Sequence, residues 1–167
     1  MKKLLFFTIF LAACGVQEDD YGGYVPIDLS RLTSTGNSLS NALKYKDLEE
    51  DKDYKEIREL VGVDPRQTEW CAAFVNAVLR ESNIPTSASV SDYPLLAKSF
   101  LKWGYSVDTP RVGDVLVFRR NNSAWQGHVG FFIEDKGDTY VVFGGNQDDK
   151  ISFKEYRKSA LLDIRRY

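Results

Sequence analysis

The hydrophobic period of this chain changes once, at Gly104, and that change limits the folds open to it. Before Gly104 apolar residues recur at helical spacing. Leu39, Ala42 and Leu43 mark one helix over 38–46. Tyr54, Ile57 and Leu60 mark a second over 53–61, ended by Gly62 and Pro65. Phe74, Val75, Val78 and Leu79 mark a third from Cys71 to Glu81, stopped by Asn83 to Pro85. Asp92 and Pro94 are suited to open a fourth that runs through Phe100 to Trp103. After Gly104 short apolar runs suit strands: 114–119, 128–134, 139–143, 151–153 and 161–165, with a turn at Lys136-Gly137-Asp138. Helices first and an antiparallel sheet after them predict a segregated α+β domain over 37–167. A chain of 167 residues holds one such domain and a short appendage.

The appendage is the amino terminus. Met1-Lys2-Lys3 precedes an apolar run from Leu4 to Ala13, followed by Cys14. Two lysines, a short apolar stretch and small residues before a cut site describe a secretory signal. The run is shorter than the roughly 20 apolar residues a spanning helix needs. Its end, Leu11-Ala12-Ala13-Cys14, resembles the cleavage box of bacterial lipoproteins, which implies a signal over 1–13 and an acylated Cys14. Each buried methylene contributes roughly 0.8 kcal/mol, so several acyl chains anchor durably. Residues 14–36 read as a tether rich in Gly, Asp and Ser/Thr, although Tyr21, Tyr24, Val25 and Ile27 leave a packed arm open. Gly15 is not the acidic retention residue of enterobacterial lipoproteins, which favours an outer membrane where the source has one.

Scarce residues constrain the chemistry. The chain has one His and two Cys. With Cys14 acylated, Cys71 has no partner for a disulfide, and a lone exported Cys with a His elsewhere is a candidate nucleophile. A helix start should favour its thiolate through the dipole and free amides. His128, after Gly127 at the start of a strand, is the one available imidazole base. Each residue alone is more often structural; together they form a matched nucleophile and base. A third polar group should orient the ring. Asn146 lies at the end of the neighbouring hairpin strand, and Gln147 is the competing choice. Trp70 and Trp125 flank the pair and are candidate walls of a substrate groove, with a core position for Trp70 equally open. Gly113-Asp114 reads as a turn into a strand; Glu69 could help shape the groove, but a surface position suits it better. One His and no Cys cluster leave only carboxylates for a metal, so neither metal nor other cofactor is expected. A net charge of −2 argues against nucleic acid as a partner.

Four segments carry a wider resemblance. Trp70-Cys71-Ala72-Ala73-Phe74-Val75, Pro110-Arg111-Val112-Gly113-Asp114-Val115, Gly127-His128-Val129-Gly130 and Gly144-Gly145-Asn146-Gln147 stand in the order of CHAP-type and NlpC-type cell-wall hydrolases. The resemblance spans Leu39 to Tyr167. It implies a papain-like fold, peptidoglycan as substrate, hydrolysis of an amide, Cys71 as nucleophile and His128 as base. Many CHAP members have a Glu two positions before an Asn. That position is Gly144 here, so only the Asn is retained, as Asn146. The expectation is a monomeric envelope enzyme held to a membrane through Cys14. The alternatives are a lipoprotein that binds the wall without cutting it, and an exported toxin or lysis factor with the same chemistry.

Overall fold

The computed structural model describes residues 21–24 and 37–167. The signal over 1–13, Cys14 and most of the tether lie outside the described residues. Within the tether, Tyr21–Tyr24 (β1) forms a strand paired antiparallel with the far edge of the sheet, so four of its residues extend the domain. Three helices follow: α1 (Asn37–Leu43), α2 (Tyr54–Val61) and α3 (Cys71–Glu81). Strands β2 (Tyr105–Ser106), β3 (Val115–Arg119), β4 (Gly127–Asp135), β5 (Thr139–Gly144), β6 (Ser152–Arg157) and β7 (Leu161–Arg166) complete a seven-stranded sheet ordered β1-β6-β5-β4-β3-β7-β2. All pairings are antiparallel. The architecture is the expected α+β one, with the helices ahead of every strand but β1.

Strand alternation divides the apolar residues between two faces. Val115, Val117, Val129, Phe131, Ile133, Val141, Phe143 and Phe153 pack against the helices around Trp70, Phe74, Val75, Val78 and Leu79. The alternate positions, Leu116, Phe118, Phe132, Tyr140, Val142 and Tyr156, form a smaller cluster on the opposite face with Ala160 and Ile164. α3 is apolar almost all round because α1 and α2 lie on one side of it and β4 and β5 on the other.

The fourth helix differs from expectation. Residues 97–102 form a 3-10 helix rather than an α-helix from Asp92. The carbonyl of Pro94, which would open an α-helical ladder, instead accepts hydrogen bonds from Asn76 Nδ2 and Ser87 Oγ. Leu96, Ser99 and Trp103 N–H groups each bond three residues back. α1 also ends sooner than its apolar spacing suggests. At Asp47 the backbone turns left-handed (φ 70°), and its N–H bonds to the carbonyl of Ile151. β6 runs on through charged residues to Arg157, with Lys154 buried and paired to Asp148 and Glu155 accepting from Thr139.

Candidate active site

Cys71 is the first residue of α3, and the helix begins as the Phe74 N–H bonds to the Trp70 carbonyl. Its sulfur is bonded by the backbone N–H groups of Val129 and Ala72. The first of these belongs to the residue after His128, so the helix start and the start of β4 meet at the sulfur. The site is closed at rest: Cys71 is 5% and His128 3% exposed.

Burial outweighs the helix start. It pushes the Cys71 thiol up to about 11; the Val129 amide opposes that rise, the Glu69 charge adds to it, and the Arg120 charge and the Ala72 amide offset part of it. The expected lowering of the thiol is therefore reversed, because one turn of peptide dipoles compensates less than the lost hydration of a thiolate costs. Burial also depresses the His128 imidazole to about 3, and the positive charges of Arg120 and Lys154 push the same way. At neutral pH both groups are uncharged.

The ring of His128 is held on two sides. One face stacks on Tyr156 at 4.6 Å and 10°, and Tyr156 stacks in turn on Phe118 at 4.9 Å. Nε2 lies 3.1 Å from Gln147 Oε1. Gln147 Nε2 donates to the carbonyls of Ser152 and Val142, which sets the direction of the amide and leaves Oε1 as acceptor. His128 Nε2 therefore carries the proton and donates it, and Nδ1 keeps its lone pair.

The group beside the ring is thus Gln147 and not Asn146. The family resemblance is what selects Asn146, and a strand regular through this point would let only one of the two face the ring. β5 ends at Gly144, and Asn146 has a left-handed backbone (φ 55°), so alternation no longer decides which side chain faces β4. The Gln147 N–H closes the following turn on the Lys150 carbonyl, and its side chain is buried. A Cβ on Gly144 would lie 3.3 Å from Gln147 Oε1 and 3.4 Å from His128 Nε2. Side chains at 144 and 147 compete for one space, and here Gln147 fills it. Asn146 instead donates from Nδ2 to Glu69 Oε2 at 2.9 Å.

The two tryptophans separate. Trp70 is fully buried and donates from Nε1 to Glu50, so it is a core residue and forms no groove wall. Its ring is why position 145 is glycine, since a Cβ there would come within 2.5 Å of Cζ3. Trp125 is 60% exposed on the β3–β4 connection, where Lys98 Nζ bonds the carbonyls of Ser123 and Ala124. Asp114 serves structure: it is buried, accepts from the Arg111 N–H and pairs with Arg166. Two residues at the site were not legible in the sequence, and a third only as the weaker of two readings. Tyr156 and Arg120 carry no local signal, and Glu69 reads as ordinary surface, yet Arg120 Nη1 lies 2.9 Å from Glu69 Oε2.

A cysteine at a helix start, against the start of a strand bearing a histidine whose Nε2 is held by an amide, defines the papain-like class of cysteine hydrolase sites. The CHAP domain family matches residues 63–146, half of the chain, and the chain belongs to it. Membership makes the protein a peptidoglycan hydrolase of the amidase or peptidase kind with cysteine-type chemistry. The match includes Cys71, His128 and Asn146 and stops one residue before Gln147. No curated protein matches the chain.

Proposed function

We propose that this protein is a lipid-anchored envelope enzyme that hydrolyses an amide bond of peptidoglycan, with Cys71 as nucleophile, His128 as base and Gln147 as the group that orients the ring. The observation that carries this reading is the junction at Cys71: the sulfur accepts from the backbone amide of Val129, the residue after His128, whose ring Gln147 holds with Nδ1 unprotonated. Because both groups rest neutral, the thiol proton passes to Nδ1 as sulfur attacks the carbonyl, with no ion pair stored beforehand. The backbone N–H groups that bond the resting sulfur then become donors for the developing oxyanion. His128 returns its proton to the leaving amine, and water releases the acyl group from sulfur. The anchor is supported by Leu11-Ala12-Ala13-Cys14, and it would hold the domain near the wall without a separate binding module.

The test is digestion of purified peptidoglycan, with mass spectrometry of the released fragments. Wild-type protein releases fragments bearing new amine and carboxyl ends, and Cys71→Ala, folded by circular dichroism, releases none. Equal release by the two proteins would discard the cysteine mechanism. The rival reading, wall binding without cleavage, draws on the closed resting site. It predicts that both proteins sediment with peptidoglycan and neither releases fragments. Intact mass of membrane-extracted protein tests the anchor: an unmodified Cys14 in mature protein would refute it.

A further inference from the structure

Three surface side chains clasp one another beside the buried pair. Glu69 stands two residues before Cys71. Arg120 follows β3 directly, on the strand whose Phe118 pairs with His128. Asn146 stands one residue before Gln147. Arg120 Nη1 and Asn146 Nδ2 both donate to the same oxygen, Glu69 Oε2, at 2.9 Å each. Each member of the clasp is therefore within two residues of a member of the site, or of the position paired with one. The Glu69 carboxylate is well exposed and the Arg120 side chain about one-third exposed, so solvent and solutes reach both. Arg120 is also close enough for its charge to act on Cys71 and on His128.

Two convergent donors on one carboxylate oxygen form a carboxylate-binding arrangement, and Glu69 occupies it from within the chain. An exposed pair of this kind is worth little in water, so an incoming carboxylate exchanges with it at small cost. We infer that Arg120, with Asn146, is the specificity-determining site for a free carboxylate about one residue from the amide to be cut, and that Glu69 holds this site until substrate displaces it. The exchange parts the loops bearing Glu69, Arg120 and Asn146, which uncovers Cys71 at the moment when substrate is bound. The inference rests on the hydrolase reading above and names the class of substrate for it: acidic peptide amides rather than neutral ones.

The experiment compares two wall peptides that differ only in carrying a carboxylate or a carboxamide beside the scissile amide. Wild-type protein prefers the carboxylate by roughly two- to fivefold in kcat/KM, the scale of one exposed charge pair. Arg120→Gln brings the ratio close to one, mainly by slowing the acidic peptide, and Arg120→Lys retains part of the preference. Glu69→Gln widens it, because the internal competitor is gone. An undiminished ratio in Arg120→Gln overturns the inference. A second readout needs no hydrolysis: alkylation of Cys71, located by peptide mass mapping, with iodoacetate against the isosteric iodoacetamide. The iodoacetate-to-iodoacetamide rate ratio drops roughly two- to fivefold in Arg120→Gln and part-way in Arg120→Lys. The same ratio in wild type and Arg120→Gln refutes the carboxylate site. If wild-type protein cuts neither peptide while the alkylation ratio still depends on Arg120, the hydrolase reading fails and the anion site stands.

Discussion

The floor and the rim of the site are built on opposite principles. Cys71, His128 and Gln147 on the floor are buried, uncharged at neutral pH and held by neutral hydrogen bonds and ring stacking. Glu69, Arg120 and Asn146 on the rim are more exposed and are held by a charge pair and an amide contact. The two layers are interleaved along the chain, so single steps such as Asn146 to Gln147 cross from one to the other. In a dry layer a fixed charge is expensive, and an amide orients an imidazole without one. At the surface a charge costs little and attracts an ionic ligand. The contrast assigns geometry to the floor and recognition to the rim.

The largest expected effect tests the floor. His128→Ala lowers turnover of peptidoglycan by roughly 10²–10⁴-fold, the range of a lost general base. A loss under tenfold would place the base elsewhere. Gln147 follows. Gln147→Ala leaves His128 Nε2 and the carbonyls of Ser152 and Val142 without their partner, at about 1–3 kcal/mol, which is roughly 5–150-fold if the whole loss falls on turnover. Gln147→Glu does not rescue, because a carboxylate has no N–H for those two carbonyls. Asn146→Ala, on the rim, lowers turnover by only a few-fold. If Asn146→Ala were the more damaging of the two alanine variants, the division between floor and rim would be wrong.

Neutrality of the floor has its own signatures. Alkylation of Cys71 by iodoacetamide should keep rising with pH towards about 11, since burial holds the thiol protonated. A plateau near pH 8 would mean that the helix start prevails over burial. Stability provides the smallest effect. The unfolded chain protonates its histidine below about 6.5, whereas folded His128 takes up no proton until about 3. The unfolded state therefore binds more protons, and the contribution of His128, complete above 6.5, is lost progressively as pH falls towards 3. Between 6.5 and 4.5, above the range where carboxylates dominate, this amounts to at most about 1.4 kcal/mol per pH unit. Thermal melting across that window should show the slope in wild type and lose it in His128→Gln. An unchanged slope would show that His128 is accessible to protons in the folded protein.

Much of the scaffold was legible before the structure. The switch of period at Gly104 separates helices from sheet, and α2, α3 and the central strands lie where apolar spacing places them. Residues 92–103 depart from their helical spacing because Pro94 gives its carbonyl to Asn76 and Ser87, partners 18 and 7 residues away. Cys71 and His128 stand out because sulfur and imidazole are scarce in this chain, and scarcity is a property of sequence. Trp70 was ambiguous because an indole suits a core and a groove equally well, and only its packing against Gly145 decides.

The sequence by itself determined the order of helices and sheet and singled out the one thiol and the one imidazole proposed to react, because hydrophobic period and residue type act locally along the chain. Tertiary structure alone decided how those atoms are poised. A left-handed turn at Asn146 delivers Gln147 rather than its neighbour to the ring, a tyrosine from β6 supplies the stacking face, and burial reverses the expected ionisation of Cys71 and suppresses that of His128. Orientation and desolvation depend on atoms brought together from distant parts of the chain, and no local pattern encodes that sum.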